Sequence, residues 1–197
     1  MVLQMKNNRS GQAAALSNDE YSKIRRQIVS EKYKILFALG WYTGERWGAL
    51  IQLKVSDVYD PDGKPYSEIT FRATTRKKDP GGSSETRQVP IHDLLREQLG
   101  YYKPDKDSIW LFPGRDFKKH TCWRNVYDIL TSAVEKAGLA SKGVSTHSTR
   151  RSFVTNLHNN GISLATIKRI TGHKDIKSLE RYIDIAADQL RGAIATL

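Results

Sequence analysis

Apolar residues recur at helical spacing along most of this chain. Between residues 32 and 42 they run almost without interruption, which predicts a helix buried on all sides. Between residues 121 and 137 they fall three or four positions apart, which predicts an amphipathic helix with one face on a core. The same criterion predicts further helices at 17–30, 92–102, 146–158, 163–171, 177–184 and 186–197.

One part of the chain follows the two-residue period of a strand instead. Residues 67–75 alternate apolar and polar side chains, and residues 86–91 return after a loop rich in glycine and serine. Two such segments joined by a short loop predict an antiparallel β-hairpin. The expected fold class is therefore mainly α with a small antiparallel β-hairpin or sheet, an α+β arrangement.

Local signals place two helix ends that matter for the site. Ser17, followed by Glu20 at the third helical position, forms a capping box that predicts the start of the first helix. Gly44 is expected to end the apolar helix, because glycine accepts the left-handed C-cap conformation. Arg46 then opens a short helix, where the helix dipole disfavours a cation. We therefore expect Arg46 to have an anionic partner, either a phosphate or a carboxylate such as Glu45.

The charge balance narrows the class of partner. There are 32 Lys and Arg residues against 21 Asp and Glu, which gives a net charge of +11 at pH 7. That excess favours a polyanion, most simply nucleic acid, although a basic protein without such a partner has the same composition. Cys122 is the single cysteine, so neither an internal disulfide nor a cysteine-based zinc cluster is expected.

No apolar run in the sequence approaches the ~18 residues of a transmembrane helix. The N-terminal residues also lack the apolar core of a signal peptide. We therefore expect no membrane association and a cytoplasmic location.

Five residues carry the chemistry needed to break a phosphodiester, provided that the fold brings them together. Arg46 and Arg150 offer planar forks of donors that match phosphate oxygens. His147 and His173 offer imidazoles, and Tyr182 offers a phenol that becomes a useful nucleophile only beside cations. His147 and Arg150 are three positions apart, which places them on one helical face near its N-terminus, a natural phosphate seat. Taken singly, each has a plainer interpretation: a solvated helix face, a dipole contact or a core tyrosine.

The expected hairpin is basic. Such a hairpin could follow a DNA backbone or groove. Lysines on an edge strand also discourage aggregation, so a solvated edge is the plainer interpretation. The residues predicted to bind DNA are Arg72, Arg76, Lys78 and Arg87 of the hairpin, with Arg151 beside Arg150.

The order and spacing of these residues resemble the catalytic domain of the tyrosine recombinase (phage integrase) family. The resemblance runs from about residue 17 to residue 187. The features that carry it are Thr43-Gly44-x-Arg46, a lysine in a β-hairpin, His147-x-x-Arg150-Arg151, Gly172-His173 and Tyr182 nine residues further on.

The resemblance implies a role for each residue. Tyr182 attacks the scissile phosphate and forms a 3′-phosphotyrosine, while Arg46 and Arg150 hold the two non-bridging oxygens. His147 assists as an acid or base, and His173 donates a further hydrogen bond to the phosphate.

A hairpin lysine completes the implied set of catalytic groups. It protonates the 5′-oxygen leaving group, and Lys77 fits that place best, with Lys78 next. The covalent link conserves the phosphodiester energy, so no metal and no cofactor is expected.

The resemblance also implies an organisation and partners. Residues 1–16 are expected to be a flexible lead-in, 17–185 the catalytic domain, and 186–197 a tail helix exchanged between protomers or folded back on its own domain. The expected partner is double-stranded DNA, bound by a tetramer in a prokaryotic cell or at its nucleoid. An N-terminal core-binding domain, usual in the family, is not supplied by residues 1–16, which implies weak and salt-sensitive binding by this chain alone.

One position departs from the family pattern. A carboxylate usually stands three residues after the first arginine, and here that position is Ala49. Support for Arg46 must then come from elsewhere, with Glu45 and Asp57 as candidates.

Three other functions stay open at this point. Residues 164–182 superficially resemble a helix-turn-helix, so a DNA-binding regulator that never cuts is one. A degenerate recombinase that binds DNA without catalysis is the second, and a relaxing topoisomerase of similar chemistry is the third.

Overall fold

The computed structural model describes residues 12–76, 85–173, 175, 176 and 179. The helices in this part are α1 (Asn18–Gln27), α2 (Glu31–Thr43), α3 (Trp47–Leu50), α4 (Asp93–Tyr101), α5 (Trp123–Lys136), α6 (Ser148–Asn159) and α7 (Leu164–Thr171). Strands β1 (Glu68–Phe71) and β2 (Arg87–Pro90) form a two-stranded antiparallel sheet. The predicted fold class, mainly α with a small antiparallel sheet, is confirmed.

The chain divides into two compact units, Met1–Phe153 and Val154–Leu197. The described part of the first unit contains α1 to α5, both strands and the first half of α6 around one large apolar core. The second unit has its own small apolar cluster of Val154, Ile167 and Leu179, with Leu157, Ile162 and Leu164 packed against it.

Helix α2 is the centre of the first unit. Every residue from Ile35 to Trp41 is buried, which confirms the helix that the continuous apolar run predicts. Tyr21 of α1 stacks on two of its aromatic rings, with centroid distances of 4.5 Å to Trp41 and 5.0 Å to Phe37. Such stacking adds to the area that the rings bury and fixes α1 across α2.

The helix ends fall where the local signals place them. The Ser17 hydroxyl accepts from the Glu20 amide, and the Glu20 carboxylate accepts from the Ser17 amide, so the capping box is formed. Gly44 ends α2 in the left-handed region, with φ at 60°. Arg46 is the N-cap of α3, as predicted.

Strand β1 is shorter than the alternating pattern predicts. It pairs with β2 in the register Phe71 opposite Arg87 and then gives way to a 3₁₀ turn, Ala73–Thr75. The Thr75 hydroxyl donates to the Arg72 carbonyl at 2.9 Å, and this local bond stabilises the turn over further strand. The pattern alone carries no sign of that competition.

Residues 12–16, at the end of the predicted lead-in, pack within the first unit. Ala14 and Leu16 are buried. The Leu16 amide donates to the Ser152 hydroxyl at 2.7 Å, and the Ala14 amide donates to the Gly143 carbonyl at 3.2 Å.

The predicted helices at 177–184 and 186–197, the hairpin tip and the first eleven residues lie outside the described residues, apart from Leu179. Among the helices that the structure does describe, none has the length and apolar character needed to cross a membrane.

The turn at Gly44 yields a stability prediction. An alanine there would sit at positive φ, which costs about 1–2 kcal/mol, and its Cβ would fall 2.4 Å from Phe153 Cδ1. We expect Gly44→Ala to lower the free energy of unfolding by at least about 2 kcal/mol in urea titrations. Gly48→Ala is the matched control, because a Cβ there meets no atom within 4 Å and improves the propensity of α3. Equal stability of the Gly44→Ala variant and the wild type would contradict this account of the turn.

Candidate active site

The turn between α2 and α3 positions two charged side chains. Thr43 steadies it, because its hydroxyl donates to the Leu39 carbonyl at 2.6 Å and accepts from the Glu45 amide at 3.2 Å. Left-handed Gly44 then reverses the chain direction. As a result the carboxylate of Glu45 lies inside the first unit, while the Arg46 side chain is half-buried at the surface of a pocket.

The start of α6 supplies the next two predicted residues. His147 stands directly before the helix, and its carbonyl accepts from the Arg151 amide at 2.9 Å. Its side chain is exposed and lines the pocket, near a helix N-terminus as the sequence predicts. Arg150, in the first turn of α6, is only 1% exposed, and its Nη1 donates to the Gly44 carbonyl at 2.8 Å. Arg150 is therefore fixed directly behind the turn that carries Arg46.

A pocket of about 420 Å³ opens at this place in the first unit. Its volume is in the range of small-molecule ligand pockets in proteins. The residues that line it are Glu45, Arg46, Trp47, Gly48, Ala49, Gln52, Thr74, Thr75, Arg76, Trp123, Thr146 and His147.

Tight packing fixes the walls of the pocket. The Trp47 indole donates to the Thr149 hydroxyl at 3.1 Å, which joins α3 to α6. Gly40 of α2 faces this contact so closely that a Cβ on it would lie 2.9 Å from both bonded atoms. The three helices that place Arg46, His147 and Arg150 thus meet at a single tight junction.

Glu45 is the acidic group of this site, at 1% exposure. Its carboxylate pairs with Arg87 through one oxygen, lies 3.7 Å from Arg76 Nε, and lies 3.9 Å from Arg150 Nη1. Burial raises the pKa of Glu45. The positive charges of Arg87 and Arg150 lower it, the Arg46 amide and Arg76 lower it by smaller amounts, and together they outweigh the effect of burial. The net result is a pKa below the usual value of a glutamate, so the group is ionised at neutral pH.

The expected carboxylate partner of the Arg46 guanidinium is not observed. Of the Arg46 donors, only the backbone amide reaches the Glu45 carboxylate, at 2.8 Å, and Asp57 pairs instead with Arg72 Nε at 3.1 Å. Within residues 12–76 and 85–173 the structure contains no ion pair of the Arg46 side chain. Its positive charge is directed to the pocket, where an anion can meet it.

The arginines predicted to bind DNA have different surroundings. Arg76 lines the pocket, and its Nη1 donates to the Glu85 carbonyl at 2.7 Å. Arg72 donates to the Gln52 carbonyl at 2.5 Å, in addition to its pair with Asp57. Arg87 is largely buried beside Glu45, and Arg151 is 8% exposed. Of these four arginines, only Arg76 lines the pocket.

Arg151 has an internal partner as well. Its Nη1 donates to the side-chain carbonyl of Gln12.

The second unit contains His173, directly after the C-cap residue Gly172 of α7. The Thr171 hydroxyl donates to the Ile167 carbonyl at 2.6 Å and contacts His173 Nδ1 at 2.5 Å. A hydroxyl has only one proton. Because the Thr171 hydroxyl donates that proton to the Ile167 carbonyl, its oxygen accepts from Nδ1–H of His173. In this arrangement Nδ1 of His173 carries the ring proton that faces the Thr171 hydroxyl.

Lys77, Lys78 and Tyr182 lie outside the described residues. Of the six predicted catalytic residues, the first unit brings Arg46, His147 and Arg150 to one place, and the second unit contains His173.

Two contributors were missed by the sequence analysis. Trp123, at the start of α5, lines the pocket with 45% of its surface exposed, and Thr171 orients His173. The helical period of α5 gives no sign that its first aromatic residue faces a pocket. For Thr171 the sequence did contain a usable signal, because a hydroxyl two residues before a histidine can bond to the imidazole and orient it.

The described residues contain no group of three or more His, Cys, Asp or Glu side chains placed to hold a metal ion.

Comparison with known proteins relates this geometry to a family. Residues 14–189 match the model of the phage integrase family. Tyrosine recombinase XerD of Chlamydia pneumoniae is 31% identical over 183 residues, which cover 87% of this chain and 54% of that protein.

Two solved structures share the fold. The crystal structure of XerA recombinase superposes with a TM-score of 0.72 at 24% identity, over 98% of this chain and 66% of that one. The Tn1549 transposon integrase in complex with circular intermediate DNA gives a TM-score of 0.71 at 18% identity, over 95% and 68%.

The chain spans about half the length of the curated relatives it matches. Since the family match extends over most of the residues, and includes both the pocket and the His173 turn, this chain belongs to the phage integrase family of tyrosine recombinases.

Proposed function

We propose that this chain is the catalytic part of a site-specific recombinase that cleaves and rejoins duplex DNA through a 3′-phosphotyrosine at Tyr182. The observation that carries the proposal is the pocket in the first unit. Arg46, which has no carboxylate partner among the described residues, lines it together with His147 at a helix N-terminus. Arg150 lies directly behind the turn that carries Arg46 and donates to the Gly44 carbonyl. Membership of the family supports the same chemistry.

The proposed reaction divides the work among these groups. The phenolate of Tyr182 attacks phosphorus, and a new phosphorus–oxygen bond forms while the bond to the 5′-oxygen breaks. Arg46 and Arg150 hold the non-bridging oxygens, where negative charge gathers in the transition state. Lys77, or Lys78 next to it in sequence, gives a proton to the departing 5′-oxygen, and attack by another 5′-hydroxyl reverses the step.

The two histidines act around that centre. His147, exposed beside Arg46 in the pocket, serves as the acid or base next to the tyrosine. In this proposal Nδ1 of His173 contacts the Thr171 hydroxyl, and Nε2 reaches the phosphate and donates to it when the ring is protonated. Thr171 is thus a positioning residue for His173.

The partner in this proposal is double-stranded DNA. The net charge of +11 and the basic hairpin support it, and a structural relative was solved with DNA. Arg76 contacts the DNA backbone from the pocket rim. The positive potential around the pocket is increased by Lys78, Arg72, Arg87 and Arg151.

The proposal extends to assembly and place of action. The acting form is a tetramer on DNA in a prokaryotic cell, with residues 17–185 as catalytic domain and residues 186–197 exchanged between protomers. An N-terminal core-binding domain, in this polypeptide or supplied separately, would add to the weak affinity that we expect of this chain.

The central test is the covalent intermediate. We expect a protein–DNA adduct that survives SDS after incubation with supercoiled plasmid carrying candidate sites, since rejoining is blocked by denaturation. Sequencing of the attached ends identifies the cleaved site for later work. The adduct should vanish in Tyr182→Phe, which keeps the ring but removes the nucleophilic oxygen.

The other outcomes of that test separate the remaining functions. DNA binding without any adduct would contradict the proposal and favour a regulator or degenerate recombinase. An adduct accompanied by relaxation, but with no exchange between two marked duplexes, would favour a topoisomerase.

A second prediction concerns the arginine that faces the pocket. Arg46→Ala should slow adduct formation by about 100-fold or more at saturating DNA, because one donor to the transition state is lost. Arg124→Ala is the matched control: it removes the same charge from an exposed residue whose one ion pair among the described residues is with Asp128. Single-turnover rates that fall equally in both variants would mean that net charge, rather than a phosphate contact, is responsible.

A further inference from the structure

Glu45 joins three segments that are distant in sequence. One carboxylate oxygen accepts from the Arg46 amide at 2.8 Å and lies 3.9 Å from Arg150 on α6. The other pairs with Arg87 on β2 and lies 3.7 Å from Arg76, which follows the 3₁₀ turn after β1. The catalytic turn, the hairpin base and α6 thus share one buried anion.

The charges at this point do not balance. Three guanidiniums surround a single carboxylate, and Nε and Nη1 of Arg87 are buried without a hydrogen-bond partner among the described residues. Buried like charges repel strongly at such distances, so without Glu45 they would move apart. The anion therefore decides how close Arg76, Arg87 and Arg150 can be.

The neighbouring positions offer no other anion. Ala49, one helical turn further on, lines the same pocket with an uncharged side chain. Asp57, the nearest buried aspartate in sequence, pairs with Arg72 and accepts from the Lys54 amide at 2.7 Å. Within residues 12–76 and 85–173, Glu45 is the only carboxylate that lines the pocket.

We propose that Glu45 is a positioning residue for strand cleavage, which holds Arg150 in place for the scissile phosphate and Arg76 in place for the adjoining DNA backbone. It touches neither phosphate nor nucleophile, and it acts through the arginines. This inference rests on the proposed function and adds to it a residue outside the catalytic set implied by the family resemblance.

The experiment compares two isosteric substitutions in the whole chain. Glu45→Gln removes the charge and preserves the shape, while Asp57→Asn does the same to a second buried carboxylate that pairs with a hairpin arginine. Three quantities are measured for each variant on the cleaved site: the single-turnover rate of adduct formation at saturating DNA, the Kd for DNA, and Tm.

We expect Glu45→Gln to lower the saturating rate by about 100-fold, since small displacements of positioning groups have effects of that size. Its Kd should stay within about 3-fold of wild type, because most affinity comes from phosphate contacts elsewhere. Asp57→Asn should keep a rate within about 3-fold of wild type, even if its Tm falls as much as that of Glu45→Gln. This split between rate and affinity distinguishes positioning from general stability.

A further variant covers the case in which Glu45→Gln fails to fold. Glu45→Asp keeps the negative charge and draws it back by one methylene, so the fold should persist while the arginines shift. We expect its rate to fall by about 10-fold with an unchanged Kd.

Each remaining outcome decides against the proposal. A wild-type rate in both Glu45 variants, or an equal loss in Asp57→Asn, would overturn the positioning role while leaving the proposed function intact. Absence of an adduct from the wild type itself would overturn the proposed function and this inference with it.

Discussion

The pocket depends on the attraction between one buried carboxylate and the guanidiniums around it. A buried charge is tolerated only when it is paired, and removing one partner of such a pair typically costs about 3–5 kcal/mol. Glu45 meets this condition with Arg87, Arg76 and Arg150, and the arginines in turn are close together only because it lies between them. The remaining excess of positive charge opens toward solvent through Arg46 and the pocket, as a site for an anion requires.

This arrangement of charges is possible because of how the backbone turns. The buried helix α2 ends at a glycine in the left-handed region, and the next two residues diverge, one inward and one toward the pocket. The same glycine presents its carbonyl to Arg150, so a single reversal of the chain places both arginines. The hydrogen bond from the Trp47 indole to the Thr149 hydroxyl holds α3 against α6.

Sequence reasoning was most successful where local rules dominate. The capping box at Ser17, the glycine stop at residue 44 and the continuous apolar run of α2 were all predictable, since each depends on residues close in sequence. The end of β1 was predicted four residues too late, because a side-chain hydrogen bond of Thr75 stabilises a turn that alternation does not encode. The assignment of Arg46, His147 and Arg150 to one site came from the family resemblance, and no periodicity could have joined residues a hundred positions apart.

Long-range pairing was the part that the sequence did not provide. Glu45 was expected to serve Arg46, yet its carboxylate meets the side chains of Arg87, Arg76 and Arg150 instead. Such partners depend on how the hairpin and α6 pack against the turn, which no local pattern specifies. The helical period of α5 likewise does not specify whether its first residue is exposed, and for this reason Trp123 was interpreted only as part of a helix.

The most direct measurement of the central claim, that the pocket neutralises a phosphate, is cleavage of DNA with a neutral methylphosphonate at the scissile position. Replacing a non-bridging oxygen by methyl removes the charge that we propose Arg46 and Arg150 to meet. The account predicts that the loss of rate in Arg46→Ala and Arg150→Ala, relative to wild type, shrinks by about 10-fold or more on the neutral substrate. An equal loss on the phosphate and the methylphosphonate would contradict the claim that these arginines act on the charge of the scissile phosphate.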